Sequence, residues 1–226
     1  GGHEAAAVRP AGHGGAVYWS RRVHALSGAL FALFLTMHLI VNASAWNVDL
    51  FCGNIGLIRL LHQTLPWLIG AAIFLPLLTQ VSTGLYLLLK AGLRYQTGGC
   101  NRGSTPRYFL QRLSALFVLA FVTMHLGVLH GWGFHAVPHG PAAHGLAGYD
   151  PAHVLFGGAL AALPFLFGIW AVAFHLANGA ISGARVWGLF RDPAVWPRWR
   201  IACLISGIAL AFAGLLAWTA FFRSAA

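Results

Sequence analysis

The sequence predicts an all-α integral membrane protein, a bundle of five transmembrane helices with its N-terminus in the cytoplasm and its C-terminus outside. Three observations lead there. Of 226 residues, 58% are hydrophobic and 8% charged, with a mean hydropathy of +0.72, and a soluble domain cannot hide that much apolar surface. Five continuous runs, at roughly 23–43, 66–89, 109–129, 154–180 and 201–222, can each cross about 30 Å of hydrocarbon as a helix. Twelve of the 14 Lys and Arg residues fall at the N-terminus or in the second and fourth loops, leaving only Arg59 and Arg223 on the other side. That asymmetry is a positive-inside signal and sets the orientation.

Each span follows from its own stretch. The first opens after Arg21 and Arg22 and runs outward through VHALSGALFALFLTMHLIV. The second returns inward and ends at Lys90, and the third leaves again after Arg107 and Arg112. The fourth comes back to Arg185, and the fifth leaves after Arg198 and Arg200. A β-barrel would need short alternating segments, which are absent. No Gly/Ser-rich linker flanks a span, so 18–226 is expected to be one domain behind a flexible tail at 1–17, with no secretory signal peptide. The net charge of +10 is spread as a topology signal, which argues against a nucleic-acid partner. Cys52, Cys100 and Cys203 have no metal-binding or disulfide spacing.

The tetrapeptide TMHL occurs twice, around His38 and around His125, and its copies hold the only two methionines. Intramembrane histidines are costly and usually functional. At about 1.5 Å per residue, His38 lies 16 residues beyond Arg22 and His125 lies 13 beyond Arg112, about 24 and 20 Å from the inner edge. Two imidazoles at matched height are suited to hold haem iron from both sides. A lone histidine bonded to a neighbouring helix is the plainer alternative, and the repetition argues against it. His175 lies ten residues before Arg185, about 15 Å from the inner edge, and Gln80 lies ten before Lys90 at the same depth. His130, His135, His139, His144 and His153 crowd an outer loop whose spacings fit no tight metal site.

The motifs RRVHALSG, MHLIVN, LHQTLPW, FLPLLTQVSTGLY, QRLSALFVLAFVTMH and FHLANGAISGARVWG, in this order, resemble the five-helix cytochrome b anchor of succinate:menaquinone oxidoreductases and quinol:fumarate reductases. The likeness covers nearly the whole chain from Arg21. It implies two haem positions in the dihaem members: an outer, distal one held by His38 and His125, and an inner, proximal one held by Gln80 and His175. Gln80 departs from the family's histidine, so one b haem is expected at the outer site and a second is left open. His24 stands near the inner edge and is not expected to replace the missing ligand.

The resemblance also implies a flavoprotein and an iron–sulfur subunit docked on the basic inner face, and a quinone, menaquinone or another, as the electron partner. It further implies a bacterial cytoplasmic membrane as the location. Trp19, Arg22, His24 and Ser27 are candidate quinone or propionate contacts, with His62 and Gln63 as an outer alternative. Only Glu4, Asp49, Asp150 and Asp192 carry carboxylates and none lies in a span, so no carboxylate proton relay is expected. Competing readings are a nitrate reductase gamma or hydrogenase anchor, or a haem-free transporter or assembly protein. Reaction direction and assembly into trimers stay open.

Overall fold

The structure is a computed structural model that describes residues 13–91, 106–129 and 159–225. Six α-helices and one 3-10 turn account for nearly all of it, with no strand among the described residues. The helices are α1 (His13–Ala43), α2 (Val48–Thr64), α3 (Pro66–Ala91), α4 (Pro106–Leu129), α5 (Ala159–Trp187) and α6 (Val195–Ala225), with the 3-10 turn at Ser44–Trp46. All but α2 are long and apolar enough to cross a membrane.

The five expected spans are therefore present, with different ends. Helix α1 begins at His13, inside the stretch expected as a tail, and α5 continues to Trp187, seven residues past the expected end at 180. The outer histidine-rich loop at 130–153, including its metal-site question, lies outside the described residues, as does Cys100.

Helix α2 is an element that the apolar-run criterion did not mark. Asn47 caps it, its side chain accepting a bond from the Leu50 amide at 3.0 Å, and Asp49 places a negative charge in the first turn. Its exposed Leu57, Leu60 and Leu61 fit a helix lying along the membrane boundary. His62 and Gln63 end this helix as exposed residues and do not open the second span. Pro66 then starts α3 at the first helical position, where its missing N–H costs nothing.

The turn between α5 and α6 is set by one glycine. Gly188 has φ +62, and the Leu189 amide donates to the Ala184 carbonyl at 3.0 Å while the Gly188 amide donates to Arg185 at 3.2 Å. This pair of bonds closes the open carbonyls of the last turn, and only glycine adopts that backbone without strain. The Asp192 side chain then accepts the Ala194 amide at 2.8 Å, starting the return.

In the bundle α1 packs on α3, α5 and α6, α5 packs on α6 and α4, and α4 touches α3 only slightly. Helices α1 and α5 are thus the inner pair, flanked by α3 and α4. One packed cluster contains Ala45, Phe51, Ala162, Phe165, Ala220 and Phe221. Two indoles close it without stranding a donor: Trp46 Nε1 donates to the Leu216 carbonyl and Trp218 Nε1 to that of Ala162, each at 2.9 Å. Elsewhere the large apolar side chains point outward, Trp67 to 90% exposure, with Leu33, Leu75, Phe167 and Phe212 also exposed. A helix surface of this kind needs hydrocarbon around it.

Candidate functional site: two tiers of histidine and polar side chains

Fourteen residues of α-helix make nearly four turns and about 21 Å, so side chains at that spacing share a face. Helix α1 repeats His24 and His38 at this interval, and α4 repeats Gln111 and His125. The bundle interior is consequently organised in two tiers.

The outer tier holds both copies of TMHL. The His38 and His125 rings have centroids 5.9 Å apart and planes at 90°. Phe34 packs on His38 at 5.6 Å, and Phe121 and Phe165 pack on His125 at 5.6 and 5.8 Å. Asn42 anchors its amide on the His38 carbonyl at 2.7 Å, with Nδ2 3.4 Å from ring Nε2. The parent helices α1 and α4 share no more than marginal contact, so the two imidazoles meet where their backbones do not.

These features fit a planar metal macrocycle gripped on both faces. Two imidazoles brought together from different helices are the donor set that would hold such an iron. Phe34, Phe121 and Phe165 make the wall apolar. His38 and His125 are the side chains that would hold the iron.

The inner tier was mostly missed in the sequence. Four helices each contribute a polar pair three residues apart: His24 and Ser27 from α1, Gln80 and Thr83 from α3, Gln111 and Ser114 from α4, His175 and Asn178 from α5. Spacing of three puts both members on one face, so four such pairs in apolar helices were a readable signal. The buried polar residues of the described chain are Ser27, Ser114 and Asn178, and all three belong to this tier.

Hydrogen bonds divide the tier into two halves. Between α1 and α3, His24 Nδ1 lies 3.0 Å from Thr83 Oγ1, and Thr83 donates its single hydrogen to the Thr79 carbonyl at 2.6 Å. The imidazole therefore carries its proton on Nδ1, and Nε2 accepts from the Gln80 amide at 3.1 Å. Gln80 Oε1 accepts from Ser27 at 2.8 Å. Glycines admit these side chains: a Cβ on Gly28 would stand 3.1 Å from the Gln80 amide, and one on Gly84 3.1 Å from His24 Cε1.

Between α4 and α5, Ser114 donates to the Gln111 carbonyl at 3.0 Å and stands 3.1 Å from His175 Nδ1. Gln111 donates to the His175 carbonyl at 3.2 Å and accepts from Asn178 at 2.6 Å. Arg107 Nε closes the chain by donating to Asn178 Oδ1. His175 thereby also carries its proton on Nδ1, leaving the Nε2 lone pair available.

Gln80 and His175 sit in separate halves, and no hydrogen bond joins them. The Gln80 amide is engaged at both ends, its oxygen by Ser27 and its nitrogen by His24. His24, judged shallow from its sequence distance to the basic edge, reaches the height of Gln80. Trp19 and Arg22 form a different group at the α1 terminus. Trp19 is 60% exposed, and the Arg22 guanidinium lies 4.6 Å from the Tyr18 ring centre and 5.0 Å from that of Trp187. Of the four candidate quinone contacts, only His24 and Ser27 are joined to the inner tier.

Comparison with known proteins agrees with the motifs. The chain is 27% identical over 210 residues, 90% of its length and 96% of the relative's, to the succinate dehydrogenase cytochrome b558 subunit of Bacillus subtilis (strain 168). No family model matches, and no solved structure matches. The similarity spans nearly the whole of both chains, and five apolar helices fit a membrane anchor.

Proposed function

We propose that the chain is the cytochrome b membrane anchor of a succinate dehydrogenase or fumarate reductase complex, passing electrons between an iron–sulfur subunit and a membrane quinone through b haem. The observation that carries this is the His38–His125 pair, 5.9 Å apart between helices that do not otherwise pack. Whole-length similarity to a succinate dehydrogenase cytochrome b subunit supports it independently.

A b haem supplies a one-electron centre within the bilayer. The chain's own residues do the rest. His38 and His125 would hold its iron through their imidazole nitrogens. Phe34, Phe121 and Phe165 exclude water, and Asn42 steadies the His38 turn. A flavoprotein and an iron–sulfur subunit dock on the basic face, which is cytoplasmic, with the C-terminus outside the bacterial inner membrane. The quinone is menaquinone or a close analogue, and Trp19, Arg22, His24 and Ser27 are its candidate contacts at the inner end of α1. No carboxylate stands in a span, so electron transfer proceeds without a carboxylate proton relay.

The test is a dithionite-reduced minus oxidised spectrum with a pyridine haemochrome assay on the complex purified from membranes. A b-type α-band lost or diminished in both His38→Ala and His125→Ala supports the assignment. Absence of haem from the native complex overturns it.

A further inference from the structure

The resemblance places a second haem between Gln80 and His175, and the side chains at that position do not fit one. Holding iron from two sides requires two donor lone pairs turned toward each other across a slot that a flat ring can enter. Gln80 would bind iron through its amide oxygen, but Oε1 accepts the Ser27 hydroxyl at 2.8 Å. Its nitrogen is a donor, not a ligand, and is spent on His24 Nε2 at 3.1 Å. His175 belongs to the other half of the tier, its ring held on Ser114 at 3.1 Å. No hydrogen bond among the described residues brings it to Gln80.

Glycines let the polar side chains close the slot. Gln80 lies over Gly28 of α1, where an added Cβ would stand 3.1 Å from its amide nitrogen, and His24 lies over Gly84 of α3, with Cε1 3.1 Å from an added Cβ. Gln111 is seated in the same way over Gly179 of α5, at 3.5 Å. Each of these side chains rests on bare backbone of a helix that it also bonds to. Between α1 and α5 the backbones themselves approach: a Cβ on Gly183 would meet that of Ala25, the neighbour of His24, at 3.4 Å. Gly183 lies eight residues, about 12 Å of helix, from His175. The turn of α5 that packs beside His24 is therefore not the one that carries the histidine. Admitting a flat ring would lift these side chains off their seats and leave the Gln80 amide unpaired in an apolar bundle.

We infer that the inner tier is closed by the protein's own side chains and takes no haem, with His24 and Gln80 filling the position, so that the chain is a one-haem anchor. This rests on the b-cytochrome reading of the outer tier and sets its cofactor count. In place of a cofactor, the tier fastens α3 to α1 and α4 to α5 through side-chain hydrogen bonds.

The experiment is haem per chain in the complex purified from membranes. Haem is measured by pyridine haemochrome and the chain by mass spectrometry against a labelled peptide standard, with low-temperature electron paramagnetic resonance of the oxidised complex alongside. The forms compared are native, His38→Ala, His175→Ala, His175→Gln and Gln80→Leu. The native complex is expected to hold one b haem per chain with a single low-spin signal. His38→Ala should lose that signal, whereas His175→Ala and Gln80→Leu should keep one haem with the signal unchanged. His175→Gln stands in if the alanine variant does not assemble, and the native count decides between one haem and two whatever the variants do.

Two haems in the native complex overturn the closed inner tier and leave the proposed function standing. A single native haem that survives His38→Ala and is lost in both His175 variants also overturns it. A native complex without haem defeats the proposed function itself, on which the one-haem count rests.

Discussion

Among the bonds by which the inner tier ties α4 to α5 is a short one, Asn178 Nδ2 to Gln111 Oε1 at 2.6 Å, and its strength is open to direct measurement. Replacing Gln111 with Leu removes that acceptor and the donor to the His175 carbonyl, 3.2 Å away. Asn178 is buried, so its Nδ2 keeps only the weak 3.4 Å approach to the Arg107 carbonyl. Leaving a buried donor unpaired costs about 1–3 kcal/mol. Within a membrane the unfolded helices also find partners, and interhelical couplings average about 0.6 kcal/mol with a maximum near 1.7. The short, buried geometry argues for the upper part of that range, so a coupling of about 1–1.5 kcal/mol is expected. The assay is a double-mutant cycle of Gln111→Leu, Asn178→Leu and the pair, followed by reversible unfolding in micelles of rising dodecyl sulfate fraction. The double variant should be less destabilised than the sum of the singles. Additivity within about 0.3 kcal/mol would show that the two side chains act independently, and the tier would then not be a connected network.

Three further outcomes follow from single contacts. Gly84→Val adds carbon where even a Cβ would stand 3.1 Å from His24 Cε1, so it should displace the ring and lower stability by about 1–3 kcal/mol in the same micelle titration; an unchanged midpoint would refute the close packing of α1 on α3. Gly188→Ala imposes the φ of +62 on a side chain and should cost about 1 kcal/mol, with Gly188→Asn less harmful; equal stability of the three forms would remove the glycine cap. Trp218→Phe keeps most of the packing but removes the 2.9 Å bond to the Ala162 carbonyl, so the midpoint should fall by the equivalent of about 1 kcal/mol, and no fall would mean the bond contributes nothing net.

The sequence by itself determined the spans, because a run of about 20 apolar residues in a bilayer has one economical solution, a helix that bonds its own backbone. It also determined the outer tier: two copies of one tetrapeptide at matched depth need only the rise per residue to be aligned. Helix α2 escaped because it is marked by a cap, Asn47 with Asp49, and not by hydropathy. The partners of the inner tier escaped for a related reason. Depth along an axis can be counted from a basic residue, but rotation about the axis and the reach of a side chain cannot. Counting placed Gln80 opposite His175 and left His24 near the edge. Packing of α1 on α3 brought His24 Nε2 to 3.1 Å from Gln80 and turned the glutamine oxygen toward Ser27. Which polar groups meet in a membrane bundle depends on how the helices rotate against one another, and that is decided by the contacts of whole faces, after every local signal has been read.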